Sequence, residues 1–449
     1  MSSRRVRTGA ALLCLAATAT LVSCGGSDDT AGGRTTLDYW LWDDRQLPAY
    51  QECADAFHKA HPDITVKITQ TAWAQYWQNL TTQLTSGDAP DVWTDQGSYY
   101  PQFATSNQLL DLQPYVQRDK VDLNAYQSGL AGTWVKDGKR YGLPKDWDTM
   151  ALVYNTALLD QQGVDAAELN DLTWNPDDGG TLERVIAKAT VDTEGRNGLD
   201  AGFDKNHVKT YGFLPEWADG SQGQNGWGDL AVANGFQYLD KNPWGTHYRY
   251  DDPRLAETIG WFKHLIDKGY APRLDKQSTV ANSELLTAGK GALMVAGSWT
   301  ISTFTDPKGP HKFAFAPLPK GPMGRKSAIN GLSDAIWAGT KHKEQAWQWV
   351  KFLASPGCQN LVAERAVVFP ALKSATQKAL AAHRAKGDDV HVFTDAAAAP
   401  DGTFALPVTE HGTEISTIVQ DAIQSVMLGR AQPQAALKAA NDKVNGLFK

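Results

Sequence analysis

The chain has 449 residues, 42% of them hydrophobic, 21% charged and 10% aromatic. That balance excludes a disordered chain and a multi-span membrane protein, and the length provides for two or three lobes that each bury a core. The formal charge is −7, and residues 1–23 hold Arg4, Arg5 and Arg7 but no acid, which leaves the remainder at −10 and argues against nucleic acid as a partner. Sixteen Trp against 14 Tyr and 14 Phe is a high share for a side chain whose wide amphipathic face suits recognition surfaces.

At the N-terminus the three arginines precede a short apolar stretch, Ala10 to Leu21. This is the pattern of an export signal, shorter than the roughly 20 residues a spanning helix needs. Leu21-Val22-Ser23-Cys24-Gly25 resembles the bacterial lipobox. That likeness implies cleavage before Cys24, lipidation of Cys24 and attachment to the cell membrane through the lipid. Residues 1–23 then read as signal peptide and residues 24–34 as a flexible tether. The arginines leave Sec and twin-arginine export both open. Once Cys14 and Cys24 are set aside, Cys53 and Cys358 remain, as one disulfide of an exported protein or as two buried thiols. No Cys or His spacing points to a metal.

Thr36 to Trp42 alternates as a strand, and Leu47, Tyr50, Ala54 and Phe57 recur at helical spacing until His61-Pro62-Asp63. Ile64, Val66 and Ile68 predict a second strand, Trp73 to Thr85 a helix, and Asp91 to Thr94 a third strand. Strand–helix–strand–helix–strand means a parallel sheet covered by helices, with ligands expected at the carboxyl ends of its strands. Those ends are Trp42-Asp43-Asp44-Arg45 and Asp95-Gln96-Gly97-Ser98. Residues 174–180 and 217–229 read as loops. Asp252-Pro253 opens a helix that runs to Gly269. Gly291 to Ala296 and Phe313 to Pro317 are expected as strands. Residues 343–354, a segment opened by Ser355-Pro356, 413–428 and 432–448 are expected as helices.

Several segments, taken in order, resemble the extracellular solute-binding proteins of ABC transporters, specifically the sugar-binding family that includes maltodextrin-binding protein. They are Phe57 to Ile68, Gly87 to Val92, Tyr141 to Pro144 with Asp148, Leu152 to Asn155, Gly289 to Trp299, Trp349 to Pro356, and Val367 to Ala371. The resemblance covers essentially the whole chain. It implies an α/β, two-lobed periplasmic-binding-protein fold (type II, Venus-flytrap) with discontinuous lobes and a hinge. Lobe one would comprise 35–148 and 331–385, and lobe two 149–330 and 386–449. Cys53 and Cys358 would both fall in lobe one, where a disulfide leaves the hinge free.

A sugar offers axial C–H faces and a ring of hydroxyls, so its site needs flat aromatic platforms and side chains with paired acceptors or donors. By the resemblance Trp299 is the stacking residue, Asp148 a sugar-binding carboxylate beside Trp147, and Asp44 and Arg45 the charged pair of the cleft floor near Trp42 and Asp43. Asp95, Gln96 and Ser98 take the position of the lobe-one contacts, although Asp95 stands near where maltodextrin binders carry a Trp. The loop from Trp217 to Trp227 adds Gln222, Gln224 and Asn225, and Trp73 and Tyr76 are rim or core residues. Asn330, Ser333 and Asp334 at the second crossing either bond sugar or cap the hinge. Glu410 and His411 are weaker candidates. Trp42, Trp73, Trp93, Trp147, Trp217, Trp227 and Trp299 thus share one expected cleft, whereas Trp261, Trp337, Trp347 and Trp349 read as structural.

The resemblance implies a monomeric, non-enzymatic binder without cofactor or metal. Its partners would be a mono- or oligosaccharide and the subunits of a membrane permease. A secreted glycoside hydrolase needs similar carboxylates and platforms, and a binder of a non-sugar solute is the third reading. Against an enzyme, the sequence holds no G-x-S-x-G, H-E-x-x-H or Walker pattern.

Overall fold

The computed structural model describes residues 33–217, 220, 222–275 and 281–449. The expected signal peptide, Cys24 and nearly all of the expected tether lie outside the described residues. Strand β1 (Thr35–Leu41) buries Leu37, Tyr39 and Leu41 on one face. Helix α1 (Leu47–Ala60) buries Ala49, Tyr50, Cys53, Ala54 and Phe57 along one stripe and ends at His61, whose N–H reaches Phe57 O at 2.9 Å. Then follow β2 (Ile64–Gln70), α2 (Trp73–Ser86) and β3 (Val92–Gln96). Gly87, at φ 76°, closes α2 in the left-handed conformation that glycine adopts at little cost. β1 pairs in parallel with both β2 and β3, as the strand–helix alternation requires.

The later elements that place the site are β4 (Pro144–Asn155), β5 (Val208–Phe213), α3 (Pro253–Lys268), β6 (Gly291–Gly297), β7 (Phe313–Ala316) and β8 (Ser327–Ile336). After them come α4 (Lys343–Leu353), α5 (Pro356–Arg365), α6 (Lys373–Lys386), α7 (Gly412–Met427) and α8 (Pro433–Gly446). Asp252 caps α3 by accepting from Arg254 N at 2.9 Å, with Pro253 in the first turn. The expected elements thus form within one or two residues of their predicted ends. At 217–229 the loop ends early, because a short helix, Gly228–Ala233, begins inside it.

β4 and β8 are the crossing strands. All twelve residues of β4 are buried. Its first half pairs with β8 and with Phe369–Pro370, its second with β6 and β7. β8 pairs with Thr403–Ala405 at its start and with β3 at its end. One sheet order, β2-β1-β3-β8-β4-β6-β5, therefore runs through both lobes.

Two large cores flank the crossing. The first gathers Leu37, Phe57, Val92, Trp147, Trp347 and Trp349, and extends to Val392 and Phe393. The second gathers Leu152, Trp174, Phe262, Leu293, Val419 and Val444, so α7 and α8 pack with α3 there. Cys53 on α1 and Cys358 on α5 form a disulfide inside the first core, with Cα atoms 5.1 Å apart. Away from the crossing, Trp244 extends from the chain between Leu239 and Tyr248 of the second core. It packs against the small aromatic cluster of Tyr100 and Trp134, with its indole N–H on Val135 O at 3.0 Å and Lys136 Nζ 4.7 Å from the ring centroid.

Candidate functional site

Between the cores lies a cavity of about 340 Å³, within the range of small-molecule pockets. Trp42, Asp43 and Gln46 reach it from the turn after β1, Trp73 from the start of α2, and Gln96 from the end of β3. These are carboxyl ends of parallel strands and the segments that follow them, where main-chain pairing stops and side chains are free to face a ligand. The crossing strands form the floor with Asp146, Trp147, Asp148, Asn330 and Leu332. Glu216, Gln224, Asn225 and Trp299 close it from the other side, and Val368 completes the wall.

Trp42, Trp73 and Trp299 meet this space with their indoles, and Trp147 borders it from the first core. Trp42 and Trp73 stand edge to face at 5.0 Å and rest on Tyr76 and Trp77, which fixes their planes. Trp147 stacks on Phe369 at 5.4 Å and donates its indole N–H to Thr376 Oγ1 at 3.1 Å. Trp299 follows β6 on a single turn of 3₁₀ helix and is the one tryptophan among the described residues that packs against both large cores. Its ring folds over Gly297, where an added Cβ would lie 1.8 Å from the ring edge.

The polar side chains form a relay across the crossing strands. Asp148 and Asn330 are register partners on β4 and β8. Gln224 bridges them, donating to Asp148 Oδ1 at 2.7 Å and accepting from Asn330 Nδ2 at 3.4 Å. Asp43 accepts from Gln46 Nε2 at 2.8 Å and from the amides of Arg45 and Gln46. Burial holds the Asp148 carboxyl well above its usual range, reinforced by the charge of Asp146 and opposed by the Gln224 amide. Asp146 is pushed to about 7, chiefly by burial and against the pull of Lys145. Burial also raises Asp43, against its three hydrogen bonds.

Of the residues singled out from sequence, Trp42, Asp43, Trp73, Gln96, Trp147, Asp148, Gln224 and Trp299 therefore line the cavity, as do Asn225 and Asn330. The structure sets the others elsewhere. Asp44 and Arg45 point to solvent from the same turn. Asp95 is wholly buried within β3, and Ser98 donates to Gln96 Oε1 at 2.8 Å from a neighbouring hollow. Ser333 is sealed under Gly142, where any Cβ would lie 2.2 Å from its hydroxyl. Asp334 belongs to a buried network: Lys145 Nζ lies 3.3 Å from its Oδ1 and 2.6 Å from both Tyr39 Oη and Thr94 Oγ1. Trp217 packs edge-on against Phe262 at 5.2 Å and Trp93 against Phe103 at 6.1 Å, Trp227 lies tilted against Tyr238 at 5.6 Å, and all three are buried. Their loops or strand end carry the signal of a site, but their side chains fill cores. Glu410 pairs with Lys136 at 2.7 Å and is not among the cavity-lining residues.

Gln46, Asp146, Glu216, Leu332 and Val368 line the cavity without having been singled out. Asp146 carried a usable signal, since it sits two residues before Asp148 and the period of a strand turns both to one face. Among the described residues no group of His, Cys, Asp or Glu is arranged to hold a metal ion, and no helix is long and apolar enough to cross a membrane.

Comparison with known proteins gives the arrangement a family. The galactooligosaccharide-binding protein of Bacillus subtilis (strain 168) is 24% identical over 455 residues, covering 98% of this chain and 96% of the relative. Among solved structures, an ABC substrate-binding protein from Listeria monocytogenes in complex with cycloalternan superposes with a TM-score of 0.79 at 22% identity. That match covers 92% of this chain and 99% of the other. A solute binding protein from Thermotoga lettingae bound with alpha-D-tagatose gives 0.78 at 20% identity, over 92% and 100% of the two chains. At such identities the structural likeness is one of fold, the two-lobed type II fold of sugar-binding proteins. Residues 52–394 match the family model for bacterial extracellular solute-binding proteins, and the chain belongs to that family.

Proposed function

We propose that this chain is the capture component of an ABC importer, taking a carbohydrate between its lobes and presenting it to a membrane permease. The carrying observation is Trp299, which touches both cores and stands over a cavity that also holds the Asn330–Gln224–Asp148 relay. An aromatic face against sugar C–H groups, with carboxylate and amide groups around the ring hydroxyls, is the chemistry a saccharide requires. Relatives named for galactooligosaccharide, maltodextrin and lactose binding support the substrate class.

In this reading lobe one is 35–148 with 331–385 and lobe two is 149–330 with 386–449, with His391–Ala398 leaning on the first core through Phe393. Ligand that bridges the lobes binds the closed form better and shifts the hinge equilibrium toward it. The protein acts as a monomer tethered to the outer face of the cell membrane through lipidated Cys24. It performs no reaction.

The test is calorimetric titration of a panel of mono- and oligosaccharides, followed by recovery of the sugar. Saturable binding with intact sugar supports the proposal. Cleaved sugar supports a glycoside hydrolase, and the absence of saccharide binding refutes the carbohydrate reading.

A further inference from the structure

Every charged side chain that lines the cavity among the described residues is acidic: Asp43, Asp146, Asp148 and Glu216. Lys145 adjoins Asp146 in sequence, but its ammonium is committed to Tyr39, Thr94 and Asp334 on the other face of β4. Arg45 lies in solvent. The acids share the space with the indoles of Trp42, Trp73 and Trp299, whose faces attract cations.

The amide donors nearby are partly spent. Gln46 gives its Nε2 hydrogen to Asp43 and Gln224 gives its own to Asp148. Asp146 has no such side-chain donor. Its Oδ1 accepts from Leu332 N at 3.2 Å, while Oδ2 has no hydrogen-bond partner among the described residues, although Asp146 is only 4% exposed. A buried carboxylate oxygen without a donor is costly, and a short charge-assisted bond from a cation offsets that cost better than a hydroxyl does.

We propose that the cavity is built for an amino sugar, a carbohydrate carrying a free protonated amine, whose ammonium binds Asp146 Oδ2 among the indoles. This rests on the carbohydrate reading above and narrows it.

The test uses matched sugars that differ in one substituent. Glucosamine, galactosamine and the β-1,4-linked glucosamine disaccharide are each titrated against the corresponding 2-hydroxy and N-acetyl sugar, with the mature chain in low salt. The free amine is expected to bind at least about tenfold tighter than its hydroxyl partner in one or more sets, the scale of one charge-assisted hydrogen bond. Asp146→Asn, with near-UV dichroism showing the native fold, is expected to bring that ratio close to one. Should the variant misfold, the ratios of the unmodified protein decide. Neutral or N-acetyl sugars that bind as tightly as the amine overturn this proposal and leave the carbohydrate reading standing. A chain that binds no sugar of any set overturns both.

Discussion

Trp299→Ala tests the proposed platform directly. The ring is half-buried, lies between the two cores and covers Gly297. Removing an aromatic platform from a stacked ring costs about 1–3 kcal/mol, a rise in Kd of roughly five- to a hundred-and-fiftyfold. Truncation also strips packing from both cores, so a second variant separates position from presence. At Gly297 φ is −87°, which alanine adopts freely, but its Cβ would meet Trp299 at 1.8 Å and 2.1 Å. Gly297→Ala thus keeps the indole and forces it off its seat. Both variants are expected to weaken the tightest saccharide found in calorimetry, Gly297→Ala by an amount of the same order. Wild-type affinity in both would remove Trp299 from the site and the platform argument with it.

Three further outcomes follow from the scaffold. Cys53 and Cys358 are 305 residues apart in sequence yet share one core. Their loss is expected to cost about 2–5 kcal/mol in denaturant unfolding while leaving saccharide Kd unchanged, and a shifted Kd would show that the bridge reaches the hinge. Asp334→Ala leaves Lys145 buried without its counter-charge, at a cost of about 3–5 kcal/mol, whereas the double change Lys145→Met with Asp334→Leu is expected to recover most of it. Equal melting temperatures for the single and double variants would refute that coupling. Asp95 is wholly buried, and burial raises its pKa from 3.8 to about 8. A raised acid favours folding only while protonated, so its penalty builds as pH rises from about 4 and is complete above about 8. Asp95→Asn is therefore expected to raise the melting temperature more at pH 8 than at pH 5, and an equal shift at both would count against a buried charge there.

The periodicities of β1, α1 and β2 were legible because each has one face in the first core, and that of α2 because Tyr76, Trp77, Leu80 and Leu84 face a separate aromatic cluster, so apolar residues recur at the period of the element. β4 was not, because it is buried on both faces and carries Lys145, Asp146 and Asp148 in its first half. Those charges are tolerated by partners from 51 to 189 residues away, such as Asp334 for Lys145, which no local pattern records.

The tryptophans divide in the same way. Sequence by itself determined that the chain is α/β, rich in indole and acidic, and it located loops and strand ends where indoles gather. Which indoles face a ligand was decided only by tertiary packing. Trp42, Trp73 and Trp299 turn to the cavity, while Trp93, Trp147, Trp217 and Trp227 turn inward, each against a phenylalanine or tyrosine of its own core. Trp244 showed no signal at all, because its role depends on meeting Val135 and Lys136 more than a hundred residues earlier in the chain. The physical reason is common to all of them. A tryptophan gains by burial wherever space exists, and the space is set by residues distant in sequence.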